Sequence, residues 1–109
     1  MQASSCELWD AHCHLQDARI PASEVEAVLA EAREQGVCRL AVNGCWQEDW
    51  QRVLQLAAAN AGVVLPQLGL HPWWVARRSA GWLQQLRRLL EENLGAGVGE
   101  VRETRQQRV

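Results

Sequence analysis

The stretch from Ser23 to Val42, SEVEAVLAEAREQGVCRLAV, holds a helix, its stop and a strand in immediate succession. Ser23 and Glu26 stand at the spacing of a capping box, and Val25, Val28 and Leu29 recur at helical intervals until Gly36. Val37 to Val42 is then rich enough in β-formers for a strand, and Asn43-Gly44 closes it with a turn signal. Helix, glycine and strand in that order are the second half of a βαβ unit.

The same alternation extends in both directions. Upstream, Cys6 to Ala11 (CELWDA) reads as a first strand ending at His12, Cys13 and His14. Downstream, Glu48 to Asn60 reads as a helix with Trp50, Val53, Leu54 and Ala57 on one face and Gly62 just beyond. Val63 to Leu70 (VVLPQLGL) follows as a third strand, although Pro66 has no N–H to give to a ladder. A third helix fits Ser79 to Asn93, with Trp82, Leu83, Leu86, Leu89 and Leu90 making its apolar face, while Arg87 and Arg88 point elsewhere. Gly95 stops that helix, and a fourth strand opens at Ala96 to Val98 and ends at Gly99-Glu100.

Strands alternating with helices predict an α/β fold with a parallel sheet and right-handed crossovers. Four strands and three helices are the first half of a (β/α)8 barrel. The folded unit is expected over residues 1–101. Residues 102–109 (RETRQQRV) lack apolar periodicity and read as a polar C-terminal tail.

Composition narrows the function classes. With 48% hydrophobic and 22% charged residues the chain reads as a globular domain, and a formal net charge of -2 provides no global basic field to attract nucleic acid. All 11 cationic side chains are Arg. Any nucleic-acid role must rest on a local site. Cys6, Cys13, Cys38 and Cys45 show no CxxC spacing, and the N-terminus lacks a signal-peptide layout, so the expected location is the cytoplasm with reduced thiols. No apolar run approaches the roughly 20 residues that span a bilayer, and no membrane partner is expected.

The chemistry is concentrated at strand ends. In Asp10-Ala-His12-Cys-His14, two imidazoles two residues apart on extended chain share a face, as chelation of one cation requires, with Cys13 on the other. Alone, the pattern equally suits ordinary turn histidines. His71 and Glu100, however, also fall at the carboxyl ends of predicted strands, where α/β barrels collect their active sites.

Asp10 to Leu15 (DAHCHL), Gly69 to Trp73 (GLHPW) and Gly97 to Glu100 (GVGE), in that order, resemble successive motifs of the TatD family of metal-dependent hydrolases. Members of that family are (β/α)8 barrels that hydrolyse phosphodiester bonds, chiefly in DNA, with divalent metal ions at the carboxyl ends of the strands. The resemblance implies that His12, His14 and Glu100 are metal ligands and that His71 is a catalytic residue in the mouth of the site, contacting the substrate phosphate. The implied mechanism is attack by a metal-activated water. His and carboxylate donors suit magnesium, manganese or zinc.

The resemblance also implies what is missing. In the family the glutamate precedes a segment like Ile-Gly-Leu-Asp, and the second half of the barrel adds two histidines and a catalytic aspartate; here Val101-Arg102-Glu103-Thr104 follows, and the chain has 3 histidines in all. The expectation is a truncated nuclease, weakly active or inactive alone. Two other readings compete: a non-catalytic metal-binding fragment that self-associates, for instance as a homodimer through its exposed sheet edge, and an amidohydrolase or PHP-type phosphoesterase, which also begins with His-x-His. Trp73 and Trp74 suit either base stacking or packing under a loop, and Arg77 and Arg78 read as a solvated loop.

Overall fold

The structure, a computed structural model, describes residues 8–101, with Glu100 and Val101 described as strand backbone only. The expected strand start at Cys6 and the polar tail lie outside the described residues. The elements run β1 (Leu8–Cys13), α1 (Ala22–Glu34), β2 (Val37–Asn43), α2 (Gln47–Ala59), β3 (Val64–Leu70), a 3-10 helix (Pro72–Arg77), α3 (Trp82–Glu92) and β4 (Gly97–Val101). The four strands form one parallel sheet in the order β1-β2-β3-β4. The expected α/β half barrel is therefore the observed architecture.

Alternation along the strands sends every second side chain to one face. Leu40, Val42, Val64 and Leu68 pack there against Val25 of α1, Trp50 and Val53 of α2, and Leu86 and Leu89 of α3 in a single core. The opposite face carries Ala41, Asn43 and Gln67 together with the glycines of β4, so the sheet has one apolar side under helices and one side of smaller and more polar groups.

Pro66 sits within the ladder without disturbing it. The carbonyls of Val63 and Gln67 accept from Leu40 of β2 and from Gly44 just after it, at 2.8 Å each. In a parallel strand a residue turns its N–H and C=O to the same neighbour, so Pro66 turns its nitrogen toward β4. Pairing with β4 begins only at Gln67 opposite Gly97, and no donor is lost.

Three boundaries differ from expectation. Ser23 is not a cap: α1 starts at Ala22 after an extended Pro21, with no side-chain capping bond. The Arg52 guanidinium donates to the Ile20 carbonyl at 3.0 Å and fixes the chain one residue earlier than the capping box required. The third helix loses its first turn, because Ser79 N–H donates to Gln47 Oε1 and is held in the connection. Between β3 and α3, where no element was expected, lies the 3-10 helix, whose first residue is Pro72, where a missing N–H costs nothing. Gly36 and Gly62, at φ 92° and 82°, stop α1 and α2 as expected from their place in the sequence.

Trp50 ties α2 to the sheet. Its ring is fully buried, and its indole N–H donates to the Gly69 carbonyl at 2.7 Å, just beyond the last rung between β2 and β3. Trp50→Phe keeps most of the apolar volume and leaves that carbonyl unpaired. A loss of about 1–3 kcal/mol is expected in urea denaturation followed by circular dichroism.

Candidate metal centre

The register of β1 shapes the His-x-His motif. Asp10 pairs with Leu40 and Cys13 with Val42, so Ala11 and His12 together face Ala41, the two-against-one count of a β-bulge. Cys13 consequently packs against the core, while His12 belongs to the other face. Burial, and then the Asp10 charge, push the Cys13 thiol up to about 11, so without a metal it is a neutral thiol.

The chain turns immediately after β1, with Asp17 N–H donating to the His14 carbonyl. His14 lies beside His12 because residues two apart on extended chain share a face. Their Nε2 atoms lie 3.1 Å apart, and the rings meet edge to face at a centroid distance of 4.8 Å. His14 Nδ1 is 2.8 Å from the Asn43 carbonyl. Because a carbonyl only accepts, Nδ1 carries the hydrogen and Nε2 the lone pair. A backbone carbonyl on the far nitrogen is the usual way a ligating histidine is oriented. Metal–nitrogen bonds of about 2.0–2.1 Å at octahedral to tetrahedral angles set two nitrogens about 2.8–3.4 Å apart. The observed pair falls within that interval and fits a shared cation.

Asn43 is the residue that sequence reasoning missed as anything but half of a turn signal. It is buried at the end of β2, and its carbonyl also accepts from Gln16 Nε2 at 2.8 Å. Gln16 in turn donates to Asp49 Oδ2, and the Asp49 carboxylate accepts from Cys45 N–H at the start of α2. The end of β1, the end of β2 and the start of α2 are thereby locked together. Nothing short of the three-dimensional pairing of β1 with β2 would have marked Asn43.

His71 is held in the opposite tautomer. Its Nδ1 accepts the Trp73 N–H at 3.1 Å, capping the 3-10 helix, so its Nε2 bears the hydrogen. A ring so arranged is a donor toward anions rather than a metal ligand. Its backbone N–H donates to the Cys45 carbonyl at 2.7 Å, and Cys45 Sγ lies 3.6 Å from His14 Nδ1, which makes Cys45 the neighbour common to both histidines.

Glu100 lies at the same end of the parallel sheet. Leu68 pairs with Val98 and Leu70 with Val101, so Gly99 and Glu100 together stand opposite Gly69 in a second bulge. The structure thus brings His12 and His14 into contact, sets His71 one residue away across Cys45, and places the Glu100 backbone on the same rim. Among the described residues no three His, Cys, Asp or Glu side chains form a metal-sized cluster.

A family model described as TatD related DNase matches residues 9–101. The chain belongs to the TatD family. Its relatives include an Escherichia coli protein named uncharacterized metal-dependent hydrolase YjjV, 35% identical over 98 residues, which are 88% of this chain and 37% of that one. Human deoxyribonuclease TATDN3 is 32% identical over 72 residues, covering 66% of this chain and 26% of its own length. The crystal structure of YjjV superposes with a TM-score of 0.76 at 33% identity, over 87% of this chain and 37% of that structure. This TatD chain therefore spans well under half the length of the relatives it matches.

The glycines of the GVGE motif have a steric reason. A Cβ on Gly99 would lie 2.6 Å from Asn43 Oδ1, and one on Gly97 would lie 2.7 Å from Gln67 Oε1. Gly99→Ala should therefore displace Asn43 and cost about 1–3 kcal/mol in urea denaturation. Gly95→Ala, where a Cβ meets nothing within 4 Å, is the control expected to leave the midpoint unchanged.

Proposed function

We propose that this chain carries the first part of a TatD-type phosphodiesterase site that acts on DNA in the cytoplasm, with a divalent cation held by His12 Nε2, His14 Nε2 and the Glu100 carboxylate. The observation that carries the reading is the pair of Nε2 atoms 3.1 Å apart, one of them oriented by the Asn43 carbonyl. When bound, the cation supplies Lewis acidity, lowering the pKa of a water and neutralising charge on phosphoryl oxygens. Magnesium, manganese and zinc all suit this donor set.

The chain's own residues divide the remaining work. His14 is fixed as an Nε2 donor before any cation arrives, which removes a rotameric cost from binding. His71, with its Nε2–H, donates to a non-bridging phosphate oxygen and holds the substrate against the ligand pair. Cys13, neutral and turned to the core, stays out of the reaction. With 3 histidines in the chain and coverage of 37% of YjjV, hydrolysis by this chain alone is expected to be weak.

Calorimetric titration with manganese or zinc gives a readout that does not depend on turnover. Binding should be lost in His12→Ala and in His14→Ala, and a saturating cation at one hundred times its Kd should stabilise the fold by about 2.7 kcal/mol. Cation binding left intact in both variants would count against the assignment. In parallel, cleavage of a labelled oligonucleotide should require the added metal and vanish in Glu100→Ala; cleavage that survives chelation would overturn the mechanism.

A second reading, self-association, is favoured by the edges of the sheet. Leu8 and Trp9 on β1 and Val98 on β4 are 55%, 62% and 55% exposed. A homodimer through these strands would cover them, and sedimentation at rising concentration should show it; a monomer across the whole range would exclude it.

A further inference from the structure

Gln16 is the most deeply buried polar residue among those described, at 2% exposure, and it stands two positions from a proposed ligand. It belongs to the turn that Asp17 N–H closes onto the His14 carbonyl. Its amide nitrogen donates to acceptors from two different elements, the Asn43 carbonyl at 2.8 Å and Asp49 Oδ2 at 3.0 Å. The Asn43 carbonyl is also the acceptor for His14 Nδ1, at 2.8 Å. His14 and Gln16 thus grip one oxygen from the two ends of a three-residue span, with Leu15 between them buried in the core.

Neither acceptor depends on Gln16 for a partner. The Asn43 carbonyl has His14, and the Asp49 carboxylate has the Cys45 N–H, which reaches its two oxygens at 3.0 and 2.9 Å. Gln16 Oε1 is itself buried and meets no donor among the described residues. A buried amide with an unused acceptor is a poorer core group than a hydrocarbon of the same size, so packing alone does not call for a glutamine here. What the amide adds is a tie: two hydrogens on one nitrogen join the turn bearing His14 to the end of β2 and to the first turn of α2. An imidazole is placed by the backbone it hangs from and by the acceptor on its far nitrogen, and one side chain here holds both. Groups that orient a ligand without touching the metal govern affinity nearly as strongly as the ligands do.

We propose that Gln16 is a positioning residue for the cation: by clasping the Asn43 carbonyl beside His14, it holds the His14 imidazole with Nε2 turned to His12. The proposal rests on the assignment of His12 and His14 as ligands and adds to it a residue that sets their affinity from outside the coordination shell.

The test combines calorimetric titration of the full chain with manganese, a hard cation for which thiols compete poorly, and long-range proton–nitrogen spectra of the metal-free imidazoles. Gln16→Met keeps the length of the side chain and removes both donors. Gln16→Asn keeps the amide but is one methylene too short to span both acceptors. Gln16→Met should weaken manganese binding at least about tenfold, the lower end of what loss of an orienting partner costs, and should melt close to the wild-type temperature. Its His14 ring should show both tautomers, while the His71 ring, held by the Trp73 N–H, keeps its Nε2 proton. Gln16→Asn should weaken binding in the same direction and decides the matter if Gln16→Met does not fold. Unchanged affinity in the folded variants, or a His14 ring that keeps its single tautomer, would overturn the positioning role and leave the ligand assignment standing. A loss of affinity accompanied by a disturbed His71 ring and a lowered melting temperature would also overturn it, marking Gln16 as a core residue only. Manganese binding that is absent in the wild type, or that survives His14→Ala, would overturn the ligand assignment and the role of Gln16 with it.

Discussion

The Asn43 carbonyl, at the carboxyl end of β2, accepts from His14 Nδ1 and from Gln16 Nε2 at 2.8 Å each. Without it the chain leaving β1 has no fixed relation to β2, and the His14 imidazole has no assigned tautomer. With it, one nitrogen of His14 is committed to the protein and the other is presented beside His12. A carbonyl that has run out of β-ladder partners at a strand end is a buried acceptor that must be satisfied. Here that requirement and the orientation of a ligand are met by the same bond.

The rest of the rim follows from the bulges. In β1 the extra residue at Ala11–His12 keeps Cys13 against the core while His12 stays on the other face; in β4 the extra residue sets Gly99 and Glu100 together opposite Gly69. Both irregularities fall at the motif residues and near the strand ends, where bulges commonly re-aim side chains beside active sites. The small residues of β4 complete the arrangement: Gly97 and Gly99 make room for the Gln67 and Asn43 side chains, so the strand bearing Glu100 can lie close to β3.

Much of this was legible in the sequence. The alternation of elements, the parallel sheet, the half-barrel class and the face shared by His12 and His14 follow from periodicity and two-residue spacing. Local punctuation was less reliable wherever a distant contact competed with it. Ser23-Glu-Val-Glu resembles a cap, but Pro21 and the Arg52 bond to Ile20 start the helix earlier. Ser79 looks like a helix start, but Gln47 draws it into the connection. The Asn43-Gly44 pair reads as a turn because the dipeptide is turn-like in isolation; its role comes from β1 lying alongside, which no local window contains. Trp74 likewise stacks on Trp46, far away in sequence, while its neighbour Trp73 stays exposed.

The tautomers of His14 and His71 carry the central claim, and long-range proton–nitrogen correlation spectra of the imidazole rings observe them directly. In the metal-free chain, His14 should be protonated at Nδ1 and His71 at Nε2, and on zinc addition the Nε2 resonances of His12 and His14 should shift together while the His71 ring keeps its proton. A His14 ring protonated at Nε2, or zinc that leaves both Nε2 resonances in place, would contradict it.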